Sequence, residues 1–218
     1  KNLAIKTKVS PKIIFLDINK LNKLKNHISN PYFKNLKNIQ NLSFIFEIAK
    51  KLNLNRKKIL KTLNSFRGLK FRQQIIYNNK SLLVINDSKS TSFSSSINLL
   101  KSNNCIYWIV GGMYKKGDKF NLNKNYLKSI KAYIYGKNKN YFIKQFRNRL
   151  KYQVFTNIKE TLKEIASDIK HDKINKKKEI LFSPAAASFD TFKNFEERGA
   201  YFNYLIKRLK IVKIINAK

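Results

Sequence analysis

Hydrophobic and polar positions follow two different periods along this chain. From Asn38 onward, apolar residues recur every three or four positions, which predicts an amphipathic helix. A second segment of the same period carries Ile59 and Phe66, and Gly68 then ends the pair. Two short helices of this kind in a basic chain fit a helix-turn-helix, but we favour a helix pair packed on a sheet.

Beyond Arg72 the pattern changes to short strands that alternate with helices. QQIIY and SLLVIN, joined by a polar turn, predict a β-hairpin. Later strands are predicted at CIYWIV, AYIYG, YQVFT and EILFS, and helices from about Thr91 to Leu100, near KNYLKSI, at NYFIKQFRNRL, at IKETLKEIASDIK and, as one long final helix, from about Thr191. This alternation predicts an α/β fold, with a mostly parallel sheet and helices on both faces.

The segment before Asn38 carries a weaker pattern. KIIFLDI, residues 12–18, predicts a short strand, and mostly polar residues follow it. Because the chain opens on a lysine, we interpret this segment as the end of a domain that begins further upstream. With a boundary at Gly68, two domains are expected, residues 1–68 and 69–218.

The net charge of +35 over 218 residues has two interpretations. One is a basic nucleic-acid-binding module, which we keep as the alternative function. The other is a compositional bias toward Lys, Asn and Ile, which we favour because the basic residues are spread along the whole chain. We therefore expect no specific nucleic-acid partner. Because only 12 residues are acidic in so basic a chain, each acidic residue is a weak indication of a functional role.

Several classes of protein are disfavoured by what the sequence contains. Cys105 is the single cysteine, so no internal disulfide is possible. No cluster of Cys and His predicts a metal site. No apolar run approaches the ~18 residues of a membrane helix, and no signal-peptide pattern opens the chain. We expect a cytoplasmic protein without a membrane partner.

Three strand-to-helix loops are chemically dense: NDSKST, GGMYKKGDKF and SPAAASFD. Each follows a predicted parallel strand, so all three should lie at the carboxyl edge of the sheet, where ligands bind in this fold class. The convergence of several polar groups predicts a small-molecule pocket. No nucleophilic triad and no P-loop sequence accompanies them.

Each loop contributes a different chemistry. Lys89 offers a positive charge and Thr91 a hydroxyl near a helix start. Gly111 and Gly112 allow close backbone approach, and two lysines follow them. Ser188 is expected to open the final helix, whose free N–H groups favour an anion. Taken singly, Ser188 fits an N-cap and the glycine pair a turn; jointly the loops predict a ligand with more than one carboxylate.

These motifs resemble those of the Mur ligases, and within that family the branch that adds D-glutamate. INDSKSTS resembles the block D-S-K-[AG]-T, and IVGGMYKKGDKF resembles G-G-x-x-K-G-x-D-F. LFSPAAASFDTFKNFEERG is similar nearly throughout to L-L-S-P-A-x-A-S-x-D-x-F-K-N-F-E-x-R-G. Upstream, KNIQN resembles H-N-x-x-N and FRGLKFR resembles F-x-G-L-P-H-R. The resemblance covers almost the whole chain.

The resemblance implies a domain organisation and an activity. Residues 1–68 would be the C-terminal part of a central ATP-binding α/β domain, and residues 69–218 a Rossmann-like C-terminal domain that binds the amino acid. The family's activity is the ATP-dependent addition of D-glutamate to UDP-MurNAc-L-alanine through an acyl phosphate, in peptidoglycan precursor synthesis. ATP and Mg²⁺ would be the cofactors, and we expect a monomer. Because the uridine-nucleotide domain, the P-loop and the main magnesium ligands are not in these residues, we expect the chain alone to be inactive.

The resemblance also implies roles for individual residues. Lys89 and Thr91 match residues that hold the α-carboxylate of D-glutamate, and Ser188 and Phe195 match those at its side-chain carboxylate. The D-glutamate-binding set is Lys89, Thr91, Lys116, Ser188, Phe189 and Phe195. The nucleotide-binding set is Asn38, Asn41, Arg72 and Asp87. No catalytic or metal-binding residue is assigned.

Three positions depart from the family pattern or leave it ambiguous. Lys115 competes with Lys116 as the glycine-loop lysine, because this loop is one residue longer here. Lys37 replaces the family's histidine before Asn38, a change near the expected metal and phosphate. Phe71 replaces the histidine before Arg72.

Overall fold

The computed structural model describes residues 27–34 and 36–216 of the chain. It divides into two compact units, unit 1 (Lys1–Gly68) and unit 2 (Leu69–Lys218). The strand predicted at residues 12–18 lies outside the described residues. None of the described helices is long and apolar enough to cross a membrane.

The described part of unit 1 is helical. A 3₁₀ turn, Pro31–Lys34, precedes helix α1, Leu36–Lys51, and helix α2, Arg56–Ser65. Asn55 caps α2, because its side chain accepts hydrogen bonds from two backbone N–H groups of the first turn. A small cluster joins these elements; its buried members are Phe33, Leu42 and Leu63. The helix pair predicted by the sequence is therefore present.

Unit 2 is built on one six-stranded sheet with the order β1-β2-β6-β3-β4-β5. Its strands are β1 Gln74–Asn78, β2 Leu82–Asn86, β3 Cys105–Gly111, β4 Ile130–Tyr135, β5 Lys151–Phe155 and β6 Lys178–Phe182. The predicted hairpin is confirmed, since β1 pairs antiparallel with β2. The other neighbours are parallel. The α/β fold class that the sequence predicts is confirmed.

The helices of unit 2 cover both faces of the sheet. They are α3 Phe93–Ser96, α4 Lys124–Leu127, α5 Lys139–Phe146, α6 Ile158–His171, α7 Phe195–Arg208 and α8 Ile211–Asn216, with a 3₁₀ turn at Leu99–Lys101. Along β3, alternate residues enter two separate cores, because successive side chains of a strand point to opposite faces. Tyr107 and Ile109 pack with α6, α7 and α8. Ile106 and Trp108 pack with α3, α4 and α5.

Two predicted helices differ from the observed ones. The helix expected from Thr91 to Leu100 consists of α3 and the separate 3₁₀ turn. Its start lies at Phe93, because Ser92 is the N-cap and forms a capping box with Ser95. The long final helix begins later, at Phe195, and is broken at Lys210, whose φ is 49°. A left-handed residue cannot continue a right-handed helix.

Candidate functional site

The three dense loops follow strands that lie side by side in the sheet. The β2 loop (residues 87–92), the β6 loop (residues 183–194) and the β3 loop (residues 112–119) leave the same edge, because β2, β6 and β3 are adjacent and parallel. This is the carboxyl edge that the sequence predicts for ligand binding.

Hydrogen bonds join the β2 loop to the β6 loop. The Asp87 backbone N–H donates to Phe182 O at 2.7 Å, and the Ser183 hydroxyl donates to Asp87 Oδ2 at 3.0 Å. Ser183 Oγ also shares a hydrogen bond of 2.8 Å with Ser96 Oγ, which shares one of 2.7 Å with Ser90 Oγ. Ser90 stands where the family block has Ala or Gly, so this part of the hydroxyl network depends on a departure from that block.

Asp87 is a buried carboxyl group with both oxygens engaged. Its Oδ1 accepts the Gln73 backbone N–H at 3.1 Å. Burial raises the pKa of Asp87 to about 6, although the hydrogen bonds from Gln73 and Ser183 and the charge of Arg72 partly offset that rise. The structure thus gives Asp87 a role in holding loops together, and its nucleotide-binding role stays a prediction.

A short bridge joins the β3 loop to the β6 loop. The Met113 N–H donates to Ala187 O at 2.8 Å, and the Ala187 N–H donates to Met113 O at 2.9 Å. Gly112 makes this approach possible. It has a φ of +124°, and a Cβ there would lie 2.4 Å from Ala187 O. The glycine that the sequence marked for close backbone approach therefore meets another loop of the protein itself.

Asp118 ties the β3 loop to the start of α3. Its Oδ2 accepts the Phe93 backbone N–H at 2.7 Å, and its carbonyl accepts the hydroxyl of Tyr141. The Tyr114 ring stacks on Tyr141 with centroids 4.0 Å apart. The exposed tip of this loop carries both candidate lysines, Lys115 and Lys116. Both lysines reach solvent from the same tip, so the choice between them stays open.

Two of the predicted D-glutamate residues contact each other. The Lys89 ammonium lies 3.8 Å from the centroid of the Phe195 ring, a cation–π contact between the β2 loop and the start of α7. The Lys89 backbone is held as well, because its N–H donates to Phe71 O at 3.0 Å. Next to it, the Ser88 hydroxyl donates to Phe195 O at 2.8 Å.

Beneath this contact lies Arg198, which the sequence analysis did not assign to the site. Its side chain is 0% exposed. Nε donates to Ser88 Oγ at 3.0 Å and Nη2 donates to Ser88 O at 2.7 Å. The signal was present in the sequence, because Arg198 falls on the buried stripe of α7 with Phe202 and Leu205. An arginine in an apolar stripe indicates a buried, partnered charge.

Three polar atoms near Arg198 are buried and form no hydrogen bond of ordinary geometry among the described residues, although Arg198 lies close enough to Tyr135 Oη to oppose the rise of its pKa. They are Arg198 Nη1, Tyr135 Oη and Asp190 Oδ2. Burial raises the pKa of Tyr135 to about 12, against the opposing effect of the Arg198 charge, and burial also raises the pKa of Asp190. A buried polar atom without a partner is unusual and calls for an explanation.

The remaining predicted D-glutamate residues are placed differently from one another. Thr91 is exposed, and Phe189 is 68% exposed. Ser188 is buried, but it does not open the final helix as expected. Its carbonyl accepts the N–H groups of Thr191 and Phe192 in a turn. The helix is capped instead by Asn194, whose side chain accepts the Glu197 N–H at 2.8 Å.

The predicted nucleotide residues fall in both units. In unit 1, the Asn38 side chain donates to Tyr32 O at 2.6 Å, and Asn41 is exposed. In unit 2, Arg72 is exposed and Asp87 is buried. The side chain of Lys37 lies outside the described part of the structure.

Phe71, the second departure from the family pattern, has a clear packing role. A Cβ placed on Gly199 would lie 2.4 Å from the Phe71 ring, so this aromatic side chain rests directly on the α7 backbone. The Phe71 carbonyl also accepts a hydrogen bond from the Lys89 N–H. Through these two contacts, Phe71 holds the β2 loop against α7.

Residues for a complete metal site are not brought together in the described ranges. No group of three or more His, Cys, Asp or Glu side chains there could hold a metal ion. The described residues therefore do not fit a magnesium site by themselves.

No family model matches the chain. Curated relatives match it, and the three that follow carry the name UDP-N-acetylmuramoylalanine--D-glutamate ligase. The protein of Rickettsia felis is 35% identical over 181 residues, which cover 82% of this chain and 40% of the relative. The protein of Hydrogenobaculum sp. is 33% identical over 183 residues, 84% of this chain and 43% of the relative. That of Wolbachia pipientis wMel is 31% identical over 214 residues, 93% of this chain and 41% of the relative. The chain thus spans about two fifths of the length of each.

Proposed function

Because the chain belongs to the family of the UDP-N-acetylmuramoylalanine--D-glutamate ligases, we propose that it is the D-glutamate-binding part of such an enzyme. The complete enzyme would join D-glutamate to UDP-MurNAc-L-alanine at the expense of ATP, in peptidoglycan synthesis. Residues 69–218 would be the C-terminal domain, and residues 1–68 the last part of the central ATP-binding domain.

The proposed reaction proceeds through an acyl phosphate. A carboxylate oxygen of the alanine attacks the γ-phosphorus of ATP, the bond to the β,γ-bridging oxygen breaks and ADP leaves. The D-glutamate amine then attacks the activated carbonyl carbon. A C–N bond forms, the C–O bond to phosphate breaks, phosphate leaves with that electron pair, and the amine loses a proton. Magnesium, when bound, would neutralise charge on the phosphates. The amine must be held at the carbonyl, which is a task of position rather than covalent chemistry.

This chain's residues would bind and orient the amino acid. The Lys89 ammonium and the Thr91 hydroxyl would receive the α-carboxylate, and Ser188, Phe195 and the glycine-loop lysine would lie at the side-chain carboxylate. The observation that carries the proposal is the Lys89 contact with Phe195, 3.8 Å from ammonium to ring centroid, because it joins two predicted ligand residues from separate elements. A lysine already ordered this way loses less conformational entropy when a carboxylate binds.

The first test is D-glutamate binding to the 218-residue chain, followed by shifts of its amide NMR signals. We expect saturable shifts in the β2, β3 and β6 loops with D-glutamate and much weaker ones with L-glutamate. Lys89→Met should weaken binding by about tenfold or more, since it removes a charge-assisted contact. Lys80→Met, in the exposed hairpin turn, is the matched control and should bind like the unchanged chain. Equal binding by the Lys89 and Lys80 variants would contradict the pocket assignment.

The second test concerns catalysis. The chain alone should not release phosphate from ATP, whereas the complete protein that carries these residues should do so only with both D-glutamate and UDP-MurNAc-L-alanine present. Steady ATP hydrolysis by the 218-residue chain alone would contradict the proposal that phosphate release needs the rest of the enzyme.

The net charge of +35 supports one competing function, nucleic-acid binding. Nonspecific binding that falls linearly with the logarithm of salt concentration is expected of any protein this basic. Only a preference for one sequence over another at physiological salt would favour a nucleic-acid function over the ligase.

A further inference from the structure

We propose that Arg198 is the positioning residue that keeps the Lys89 ammonium on the Phe195 ring and so shapes the pocket before the amino acid binds. The inference deepens the proposed function and rests on it for the identity of the ligand. It concerns the geometry of the free chain, which can be examined without any ligand.

A path of hydrogen bonds connects Arg198 to both partners of the Lys89–Phe195 contact. Arg198 Nε donates to Ser88 Oγ at 3.0 Å, and Nη2 donates to the Ser88 backbone carbonyl at 2.7 Å. The Ser88 hydroxyl then donates to Phe195 O at 2.8 Å. Ser88 directly precedes Lys89, and Phe195 lies one helical turn before Arg198 on α7. The guanidinium therefore fixes both the backbone that carries the lysine and the helix start that carries the ring.

The remaining guanidinium nitrogen, Nη1, lies beside the β3 loop. Nη1 is buried without a partner among the described residues, and a Cβ placed on Gly112 would lie only 3.1 Å from it. Arg198 thus reaches the base of the β3 loop as well as the β2 loop and α7. The buried atoms Tyr135 Oη and Asp190 Oδ2 belong to side chains on whose pKa values Arg198 also acts.

Stability alone does not account for Arg198. A buried charge with an unmade hydrogen bond destabilises a fold, and a well-packed apolar residue at such a position is often neutral or stabilising. The position lies on the apolar stripe of α7, where Phe202 and Leu205 are buried. Packing alone would be served by leucine or methionine there. The arginine is therefore better explained by the groups it orients than by the stability it adds.

A lysine would not take over the role of Arg198. The planar guanidinium presents several donors in a fixed fork, so two of them reach one residue from two directions. A lysine ammonium keeps the charge but is a single point at the end of a flexible stem. Arg198→Lys therefore separates the positioning effect from the charge.

The test reads the position of Lys89 directly. An ammonium stacked on an aromatic ring carries ε-methylene protons whose NMR signals are displaced by the ring. These signals are assigned by their absence in Lys89→Met. In Arg198→Lys we expect them to move most of the way to the values of an exposed lysine. In Arg208→Lys, the matched control on the exposed side of the same helix, they should not move.

Should Arg198→Lys fail to fold, Ser88→Ala serves in its place. It removes the hydroxyl between Arg198 and Phe195 and leaves the Ser88 carbonyl to accept from Nη2. The Lys89 signals should move in the same direction, by a smaller amount. Unchanged Lys89 signals in a folded Arg198→Lys chain, or in Ser88→Ala where that chain does not fold, would overturn the proposal.

D-glutamate titrations separate this inference from the function it deepens. We expect Arg198→Lys to bind at least about tenfold more weakly than the unchanged chain, and Arg208→Lys to bind equally well. If the unchanged chain binds D-glutamate and Arg198→Lys binds it as tightly, the positioning role of Arg198 is wrong, whereas the proposed D-glutamate binding is supported. If the unchanged chain does not bind D-glutamate, the proposed function fails, while the Lys89 signals still decide the role of Arg198.

Discussion

Units 1 and 2 bury their apolar side chains in different ways. Unit 2 sandwiches its sheet between two cores, and every residue of β3 and β6 is buried. In the described part of unit 1, Phe44 and Ile48 on α1 are exposed by 58% and 59%, and Leu52, directly after the helix, is exposed by 63%. Phe44 and Ile48 lie four apart on one face of the helix. Unit 2 therefore has the packing of a self-sufficient domain, whereas the described part of unit 1 keeps large apolar side chains exposed beside a small buried cluster.

The difference is instructive because both units have similar helical patterns in the sequence. The period of apolar residues tells which face of a helix is apolar, but not whether anything covers that face. In unit 2 the strands provide the cover. The variants below test whether stability is concentrated in unit 2 as this contrast predicts, from the largest expected effect to the smallest.

Phe93→Ala should be the most damaging change. Phe93 is fully buried and lies against five other aromatic rings, including Trp108 and Phe146. We expect the unfolding free energy of unit 2 to fall by about 3–5 kcal/mol, measured in urea by Trp108 fluorescence. Leu63→Ala, in the shallower cluster of unit 1, should cost unit 1 about 2 kcal/mol, read from amide exchange of α2. Equal losses of unfolding free energy in the two units would contradict the difference in packing between them.

Gly112→Ala should follow closely. A Cβ would be forced to within 2.4 Å of Ala187 O at a φ of +124°. Strain and the broken bridge to the β6 loop should together cost about 2–4 kcal/mol in the same urea measurement. Gly117→Ala is the control, because a Cβ there meets nothing within 4 Å and only the φ of +82° is strained. Its cost should be about 1–2 kcal/mol.

Asp87→Asn should change how stability depends on pH. Burial raises the folded-state pKa of Asp87 to about 6, above its unfolded value of ~3.9. A raised carboxyl pKa favours the folded state at low pH, and this stability is lost as pH rises toward 6. Relative to the unchanged chain, the variant should therefore gain up to about 3 kcal/mol between pH 4 and pH 7.

The measurement is urea unfolding of both chains at several pH values in that window. Glu196→Gln, which alters an exposed acid on α7, is the control and should leave the pH dependence of the difference flat. A difference between Asp87→Asn and the unchanged chain that does not vary with pH would show that Asp87 is not the buried acid described above.

The smallest effect is expected at Ile48→Asn in unit 1. Because Ile48 is exposed and the two residues have similar helix propensities, the unfolding free energy should change by less than about 0.5 kcal/mol. Leu42→Asn, on the buried face of the same helix, should melt unit 1 instead. A large loss at Ile48, seen by circular dichroism, would mean that its face is packed in solution.

The sequence was sufficient for the sheet and for the three loops, because continuous apolar runs such as β3 have few alternatives to a buried parallel strand. It was insufficient for the start of the last helix. Ser188 and Asn194 are both good N-caps, and only the Glu three residues after Asn194 distinguishes them. Arg198 was missed for another reason. Its place on the apolar stripe of α7 indicated a buried charge, but its partner Ser88 lies 110 residues away, and no local pattern identifies a partner at that distance.

The bridge between Met113 and Ala187 has a mechanical consequence. Because each residue donates to the other, the bases of the β3 and β6 loops cannot separate without breaking both bonds at once. In the proposed pocket, an incoming ligand would meet these two loops as a single stiff surface. The exposed tip at Lys115, Lys116 and Gly117 would adjust to the shape of the ligand. The stiff surface would limit where a ligand can lie, and the tip would set how closely the ligand is contacted.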